Sequence, residues 1–553
     1  MNYQKELSKL ISQVLSLSPD HIYTLISHPS DPKLGDYSLP CFSLAKMMKK
    51  SPQVIAEAIK EGIHKPSWLE DIQALGGYLN FKLDPSHMVQ TYISQVMVAG
   101  LAYGSSQEGK GKEVLLEHTS INPNASPHVG RGRNAFIGDF VNRLLTFEGY
   151  EVNVHYFVND IGKQIAMLLL GAMDYDQVTF KQLLDIYVDI NDQIKNHPHL
   201  EEEVFDLLYR LEAGDQAIKD KFKDLVDICI KGQSKIFEDI GIHYQTYDYE
   251  SDYIWSKRTD EILTALEKTG YLFEDDLGRM VLNLEDFGLS YLVVTRKDKT
   301  SLYPLRDIAY TIDKAKAAKD RNMIVLGEDQ KLYFKQVAKA VSLLGFKPPE
   351  VVHYAFVLLT DGSMSTRSGN VVLLEDLMSL TEAKAQASLE SNHIKDTSTA
   401  KAIGYGAIKY AMLSTSNDRN VTFDIDQSLS FEGESSPYIQ YCLVRIKSLL
   451  EGQDNLTDQV VIQHPVTASE LALSKCLADF PSVIKKTSKD MSPHTLAKYL
   501  YKLTKKFASF YHECPILKET EEIKISRLQL CKATDFVLKN GLKILGIEGV
   551  DKM

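Results

Sequence analysis

Val114-Leu-Leu116 is a short apolar run, and Asn122-Pro-Asn-Ala-Ser-Pro127 behind it is rich in turn formers. Spacing then predicts a helix from about Gly132 to Glu148, with Phe136, Ile137, Phe140, Val141, Leu144 and Leu145 on one face. Val152, Val154, Tyr156 and Val158 alternate, which predicts a second strand. Strand, loop, helix and strand form a βαβ unit. Such a unit needs a parallel sheet, because its connection crosses from one end of the strands to the other. Ile324-Val-Leu326 and Val351 to Leu359 are expected in the same sheet, with a helix near Phe334 to Leu344 between them. Residues 171–235 are polar and helical in period. They read as an insertion, or as the crossover between two halves of the sheet.

Working outward, the first ~110 residues read as a separate α+β unit. Leu7, Leu10, Ile11, Val14 and Leu15 recur at helical spacing. Asp31-Pro-Lys-Leu-Gly-Asp36 is a turn-rich stretch, and Phe42 to Ile63 is a helical run with Ser51-Pro52 as cap and first position. Gly76-Gly-Tyr-Leu-Asn-Phe81 reads as a turn and a strand, and the loop Gly104 to Lys112 closes the unit. After about Lys395 no βαβ pattern recurs, and the tail reads as an α-helical bundle. The expected organisation is thus residues 1–110, 111–394 with an insertion at about 171–250, and 395–553.

Composition narrows the class. The chain has 553 residues, 44% apolar and 25% charged, with 62 basic and 74 acidic side chains and a net charge of −12. This is ordinary globular composition, which excludes disorder, collagen and a small disulfide scaffold as overall descriptions. No stretch reaches the roughly 18 apolar residues needed to span a bilayer. Gln4, Glu6, Lys9 and Gln13 interrupt any signal-peptide core. The six cysteines form no C-x-x-C pair, and they read as reduced thiols of a cytoplasmic protein. A negative chain can still carry a local basic face for nucleic acid.

His128-Val-Gly-Arg131 falls where the first strand hands over to the first helix. Free N–H groups and the helix dipole favour anions there. In an open parallel sheet the ligand crevice lies outside the strands' carboxyl ends. Gly130 permits close approach of a flat base, His128 can donate to a phosphate oxygen, and Arg131 and Arg133 add guanidinium donors. The plain alternative is a histidine that merely caps a turn.

These residues do not stand alone. Glu117-His-Thr-Ser-Ile-Asn-Pro-Asn124, His128-Val-Gly-Arg131, Arg133-Asn-Ala and Gly138-Asp139 resemble the opening of the catalytic domain of class I aminoacyl-tRNA synthetases, and more narrowly the arginyl-tRNA synthetases. His128-Val-Gly-Arg131 is similar to the family's His-x-Gly-His box, with Arg131 at the second histidine. Ser363-Met-Ser-Thr-Arg367 and Ser368-Gly-Asn-Val-Val372 resemble the Lys-Met-Ser-Lys-Ser loop, with both lysines replaced, by Ser363 and Thr366. The resemblance implies an ATP site of His128, Gly130, Arg131, Ser365, Thr366 and Arg367. His128, Gly130, Arg131, Met364, Ser365 and Arg367 would act on the reacting phosphates, which carry the charge that develops on pyrophosphate. Arg367 is the candidate for the missing cation.

An arginine pocket needs acids and a phenol or amide, because an unpaired buried guanidinium is very costly. Tyr303 and Asp307 stand four apart, on one face if helical. Tyr247-Asp-Tyr-Glu250 supplies another acid, and Gly327-Glu-Asp-Gln330 follows a predicted strand. By resemblance, Glu250 and Asp307 would hold the guanidinium and amino ends, Tyr303 and Gln330 would close the site, and Asn122 would contact the amino or carboxylate end. Asp160, in Phe157 to Gln164, continues a further family-like stretch.

In the tail, Lys485, Lys486, Lys489, Lys498, Lys502, Lys505 and Lys506 are interleaved with Tyr499, Tyr501, Phe507, Phe510 and Tyr511. Lysines neutralise phosphates and aromatics stack on unpaired bases. The same pattern also fits an amphipathic helix with its aromatics in the core. Tyr405-Gly-Ala-Ile-Lys-Tyr410, Val421 to Asp424, Phe431-Glu-Gly to Tyr441 and Leu545-Gly-Ile547 to Met553 resemble the family's anticodon-binding domain. That resemblance implies tRNA contacts at Tyr438, Gln440, Tyr441, Lys502, Lys505 and Lys506, and an amino-terminal domain that touches the tRNA elbow. It implies arginine–tRNA ligation from L-arginine, ATP with Mg2+ and tRNA(Arg), in a cytoplasmic protein expected to be a monomer without a structural metal. The alternative is an altered paralogue that binds RNA or uses a non-tRNA acceptor.

Overall fold

Five strands form the centre of the larger unit, which comprises residues 104–444, 482–501 and 540–553. They are β1 Glu113–Glu117, β2 Glu151–Val158, β3 Thr246–Tyr249, β4 Arg321–Gly327 and β5 Glu350–Tyr354. The order is β5-β4-β1-β2-β3, and every neighbouring pair is parallel. This computed structural model describes residues 2–173, 177–359, 372–391, 393–453 and 456–553. The chain starts in the middle of the sheet, winds outward through β2 and β3, then returns to add β4 and β5 on the other side. Strand order therefore reverses between β1 and β4, which places the ligand crevice at their carboxyl ends.

The predicted first helix is α1, Val129–Phe147, and all six residues of its expected apolar face are buried. It starts earlier than its glycines suggest, because Val129 N–H donates to the Val372 carbonyl at 3.0 Å. Gly138 makes close packing possible: a Cβ there would lie 2.1 Å from the ring of His118, which follows β1 directly. β2 is buried from Val154 to Val158 rather than alternately, since a strand inside a parallel sheet is covered on both faces.

Two expectations need correction. Only the first part of Val351 to Leu359 joins the sheet. Val357–Leu359 (β6) pairs instead with Val421–Phe423 (β7), also in parallel. Arg133 takes the carbonyls of Ala355 (2.6 Å) and Phe356 (3.4 Å), and Phe356 N–H donates to Asn420 Oδ1 at 3.1 Å. Those backbone groups are then unable to continue the ladder. The helical segment from 171 joins β2 to its neighbour β3 and so is not the link between the halves. It ends in α2, Gln216–Asp239. The link between the halves runs from β3 to β4 and contains α3, Tyr303–Ala317; α4, Lys331–Leu343, then joins β4 to β5. Two further helices matter below: α5, Thr397–Leu413, and α6, Ser436–Leu450.

The smaller unit comprises residues 1–103, 445–481 and 502–539. Its antiparallel sheet joins Tyr37–Pro40, Leu69–Leu75 and Tyr78–Leu83. Helix Tyr3–Leu15 buries Leu7 and Ile11. The run from Phe42 splits at Lys49, whose φ of 51° is left-handed, and resumes at Pro52 under a Ser51 cap. The tail is helical as expected, in Ala468–Asp490, Pro493–Glu513 and Glu521–Ile544. All six cysteines are free and buried. Among the described residues no helix is long and apolar enough to cross a membrane.

Candidate active site

Parallel strands put all their carboxyl ends at one edge, and most of the predicted site residues of the sheet region follow those ends. His128 is the N-cap of α1, but its ring makes no capping bond. The capping alternative therefore fails. Burial and the neighbouring Arg131 pull His128 down to about 4, so at neutral pH it is an uncharged hydrogen-bonding group. The Gly130 N–H has no hydrogen-bond partner among the described residues, as expected of the first turn of a helix. Arg131 is half-buried and donates to none of the described residues. A neutral ring, an open N–H and a guanidinium thus converge on one helix start, which suits a phosphate.

Arg133 does not join them. It is fully buried and donates to the carbonyls of Ala355, Ser416 (3.0 Å) and Arg419 (2.9 Å), and burial lowers it to about 10. Two positions along a helix is a rotation of about 200°, so Arg131 and Arg133 face opposite ways. Arg133 is a tether, not a phosphate donor.

The loop from β1 into α1 is held from several sides. Thr119 and Ser120 both have positive φ, 73° and 43°. Thr119 N–H donates to Asn134 Oδ1 at 2.6 Å, and the Ser120 hydroxyl accepts from Phe157 N–H at 3.1 Å. Gln233, buried in α2, donates to the carbonyls of Asn122 (3.1 Å) and Ala125 (2.8 Å) and accepts from the Tyr156 hydroxyl (2.8 Å). The Asn122 side chain is exposed and bonds to Asn159 and Gln164 at 3.0 and 3.1 Å. Asp160 accepts from Ser251 N–H at 2.9 Å and so ties the ends of β2 and β3 together; burial raises it to about 6.

The acidic side of the edge is built around α3. Tyr303 is 55% exposed, and its ring lies 5.2 Å from that of Tyr333, the third residue of α4, tilted by 50°. The Tyr333 hydroxyl donates to Asp307. Asp307 lies deep but keeps an accessible edge. Burial, then repulsion from Glu250, lifts it to about 7. Gln330 is half-buried at the end of β4, three residues before Tyr333. The structure thus joins Tyr303 and Asp307 through Tyr333, a residue the sequence reading missed.

Glu250 departs from expectation: it is buried, and its partner is Arg306 Nε at 2.5 Å. Glu117, at the end of β1, pairs in the same way with the buried Lys314. Both cations come from α3. Nothing in the sequence pattern marks Arg306 or Lys314 as part of the site; for Glu117, an acid closing an apolar strand is a usable signal. Met364, Ser365, Thr366 and Arg367 lie outside the described residues. Their following segment returns beside the helix start, where Leu374 N–H donates to the Pro127 carbonyl at 2.8 Å.

The tail resolves in favour of an amphipathic helix. Tyr499, Phe507 and Phe510 are buried, while Lys498, Lys502, Lys505 and Lys506 are exposed. Lys502 reaches Asp479 at 3.5 Å. Tyr438 is half-buried, with its ring 5.9 Å from that of Tyr501, and Tyr441 is half-buried too. Gln440 is fully buried, donating to the carbonyls of Ala402 (3.2 Å) and Glu548 (2.7 Å). It is therefore unavailable to RNA.

A parallel sheet with a switch point, a His-x-Gly box on its first helix and an acid-rich edge define a class I synthetase core. Comparison agrees. A family model described as tRNA synthetases class I (R), catalytic domain, matches residues 92–425. Others, described as DALR anticodon binding domain and arginyl tRNA synthetase N terminal domain, match 439–553 and 1–83. An arginine–tRNA ligase of Methanocaldococcus jannaschii is 35% identical over 94% of each chain. One of Clostridium perfringens is 34% identical over the whole of both chains. The solved arginyl-tRNA synthetase of Thermus thermophilus shares the fold along the whole of both chains, with a TM-score of 0.80 and 24% identity. The chain belongs to the arginyl branch of the class I tRNA synthetases.

Proposed function

We propose that this chain is an ATP-dependent arginine–tRNA ligase. The arginine carboxylate attacks the α-phosphorus of ATP, forming arginyl-adenylate and releasing pyrophosphate. A terminal ribose hydroxyl of tRNA(Arg) then attacks the activated carbonyl, and AMP leaves. No protein nucleophile is needed: positioning and charge stabilisation supply the acceleration.

One observation carries the reading. Glu250 and Glu117 have internal cations, whereas Asp307 has only the Tyr333 phenol and no ion pair among the described residues. A buried carboxylate raised to about 7 is stabilised by an incoming guanidinium. Tyr303 and Gln330 would flank that guanidinium, and Asn122 would contact the other end of the amino acid. Glu250 would act through Arg306, which its carboxylate orients. His128, the Gly130 N–H and Arg131 would hold the triphosphate. Met364, Ser365, Thr366 and Arg367 would meet its outer phosphates. Mg2+ would arrive with ATP.

Residues 1–110 would bind the tRNA elbow, 111–394 would carry the chemistry and 395–553 would read the anticodon. Tyr438, Tyr441, Lys502, Lys505 and Lys506 remain the proposed tRNA contacts. A cytoplasmic monomer completes the proposal. Charging of total tRNA with each labelled amino acid in turn tests it: arginine alone should be attached, and attachment of another amino acid, or of none, would refute it. Family resemblance further implies that tRNA is required for the first step. ATP–pyrophosphate exchange without tRNA would contradict that part.

A further inference from the structure

The far half of α1 carries charges that substrate binding does not use. Asp139 is 4% exposed and accepts from Arg143 Nε at 2.7 Å. Arg143 Nη2 also donates to the Gly241 carbonyl, in the turn after α2, at 2.7 Å. Lys409, from α5, is 4% exposed and donates to the Gly546 carbonyl at 2.5 Å. Gly546 follows the last long helix and has a φ of +67°. A Cβ there would lie 2.6 Å from Asp139 Oδ2, 3.1 Å from Arg143 Nε and 3.2 Å from Lys409 Nζ. The carboxyl-terminal turn is therefore pressed directly on the ion cluster. Buried Gln440 of α6 grips the same turn at the Glu548 carbonyl, and Gly406 keeps α5 close: its Cβ would lie 3.1 Å from Ile547.

Close apolar packing already seats α1. The buried Asp139–Arg143 pair adds a directional constraint, because a misplaced charge loses its partner in a low-dielectric site. The opposite end of the same rigid helix presents His128, Gly130 and Arg131. We propose that Lys409 and Gly546 are positioning residues: the carboxyl-terminal turn, held by Lys409 at the Gly546 carbonyl and seated through Gly546 against Asp139 and Arg143, fixes the seating of α1 and thereby the phosphate-binding helix start. This rests on the ligase reading above and adds residues that touch no substrate.

Lys409 also offers a readout beyond stability. Burial pulls it down to about 8; Asp139 on α1 and Glu548 in the turn oppose that shift, and Arg143 on α1 adds to it. Its charge is therefore lost as pH rises through about 8, while an arginine would keep its own.

The test compares wild type with Lys409→Met, Lys409→Arg and Gly546→Ala, and with Lys539→Met as a control. Lys539 forms a pair with Asp535 at 2.7 Å outside the cluster. Steady-state aminoacylation and melting temperature are measured for each. Lys409→Met should lower kcat about thirtyfold and Gly546→Ala about tenfold, with KM for tRNA within threefold and the control unchanged. Lys409→Arg should recover most of kcat and move the alkaline limb of its pH profile upward by at least one unit. Variants that melt earlier yet keep wild-type kcat would overturn the proposal. If Lys409→Met does not fold, an unmoved alkaline limb in Lys409→Arg, or an unchanged kcat in Gly546→Ala, overturns it equally. A wild type that fails to charge tRNA with arginine refutes the ligase reading instead, which separates the two failures.

Discussion

Helices α1 and α3 both begin at the carboxyl edge of the sheet, yet they settle their buried charges in opposite ways. In α1 the first turn leaves Arg131 without a hydrogen-bond partner among the described residues, and the buried Arg133 gives its two Nη groups to neutral carbonyls. In α3 the cations Arg306 and Lys314 are consumed by acids at the strand ends, and Asp307 is left over. One helix start therefore keeps a spare positive charge, and the other a spare negative charge. A zwitterionic amino acid and a polyphosphate need just this separation, because each spare charge would be neutralised by one substrate.

The sharpest break would come from Asp307→Asn. Losing the partner of a buried cation costs about 3–5 kcal/mol, so kcat/KM for arginine should fall about a thousandfold, measured by aminoacylation. The two arginines of α1 should then part company. Arg131→Ala is expected to weaken kcat/KM for ATP about a hundredfold with an unchanged melting temperature. Arg133→Ala should unfold the protein at lower denaturant by about 3 kcal/mol, because several charge-assisted bonds go together. Equal effects of the two would erase the distinction.

Proton linkage gives the next test. Asp307 titrates near 7 when the pocket is empty, and a bound guanidinium would favour its charged form. Arginine binding should therefore release a proton, and KM for arginine should rise about tenfold from pH 6.5 to 5.5. Burial already holds His128 neutral down to about pH 4, so that ring should add no limb in this window. Calorimetry in buffers of different ionisation enthalpy would detect the proton. An effect of similar size belongs to Tyr333→Phe. Losing one hydroxyl donor to a carboxylate costs about 1–2 kcal/mol, or about tenfold in arginine KM.

Much of this was legible in the primary structure, and the boundary between legible and hidden is physical. The βαβ unit from Val114 to Val158 shows because its periods are local. The opposite facing of Arg131 and Arg133 was also readable, since their spacing alone sets a half-turn and more. The departure of Val357–Leu359 from the sheet was not: an apolar run does not name its partner, and that partner lies at Val421–Phe423. Gln440 is hidden for the same reason, its acceptors being Ala402 and Glu548. The pairings of Glu250 and Glu117 need three dimensions, because α3 delivers both cations from far along the chain.

Gln233 has a consequence for how much this protein can be trimmed. Its one carboxamide serves two carbonyls of the segment ahead of the phosphate-binding turn and one phenol beneath it. The outer helices Leu183–Asn196 and His199–Glu212 supply no such bond to that segment. Those outer helices nevertheless bury Leu183, Ile186, Val204 and Leu211 in the same apolar core as Tyr156 and Ile230, so a miniaturised enzyme that sheds them must refill that core and keep the inner helix as a splint with its single amide in place.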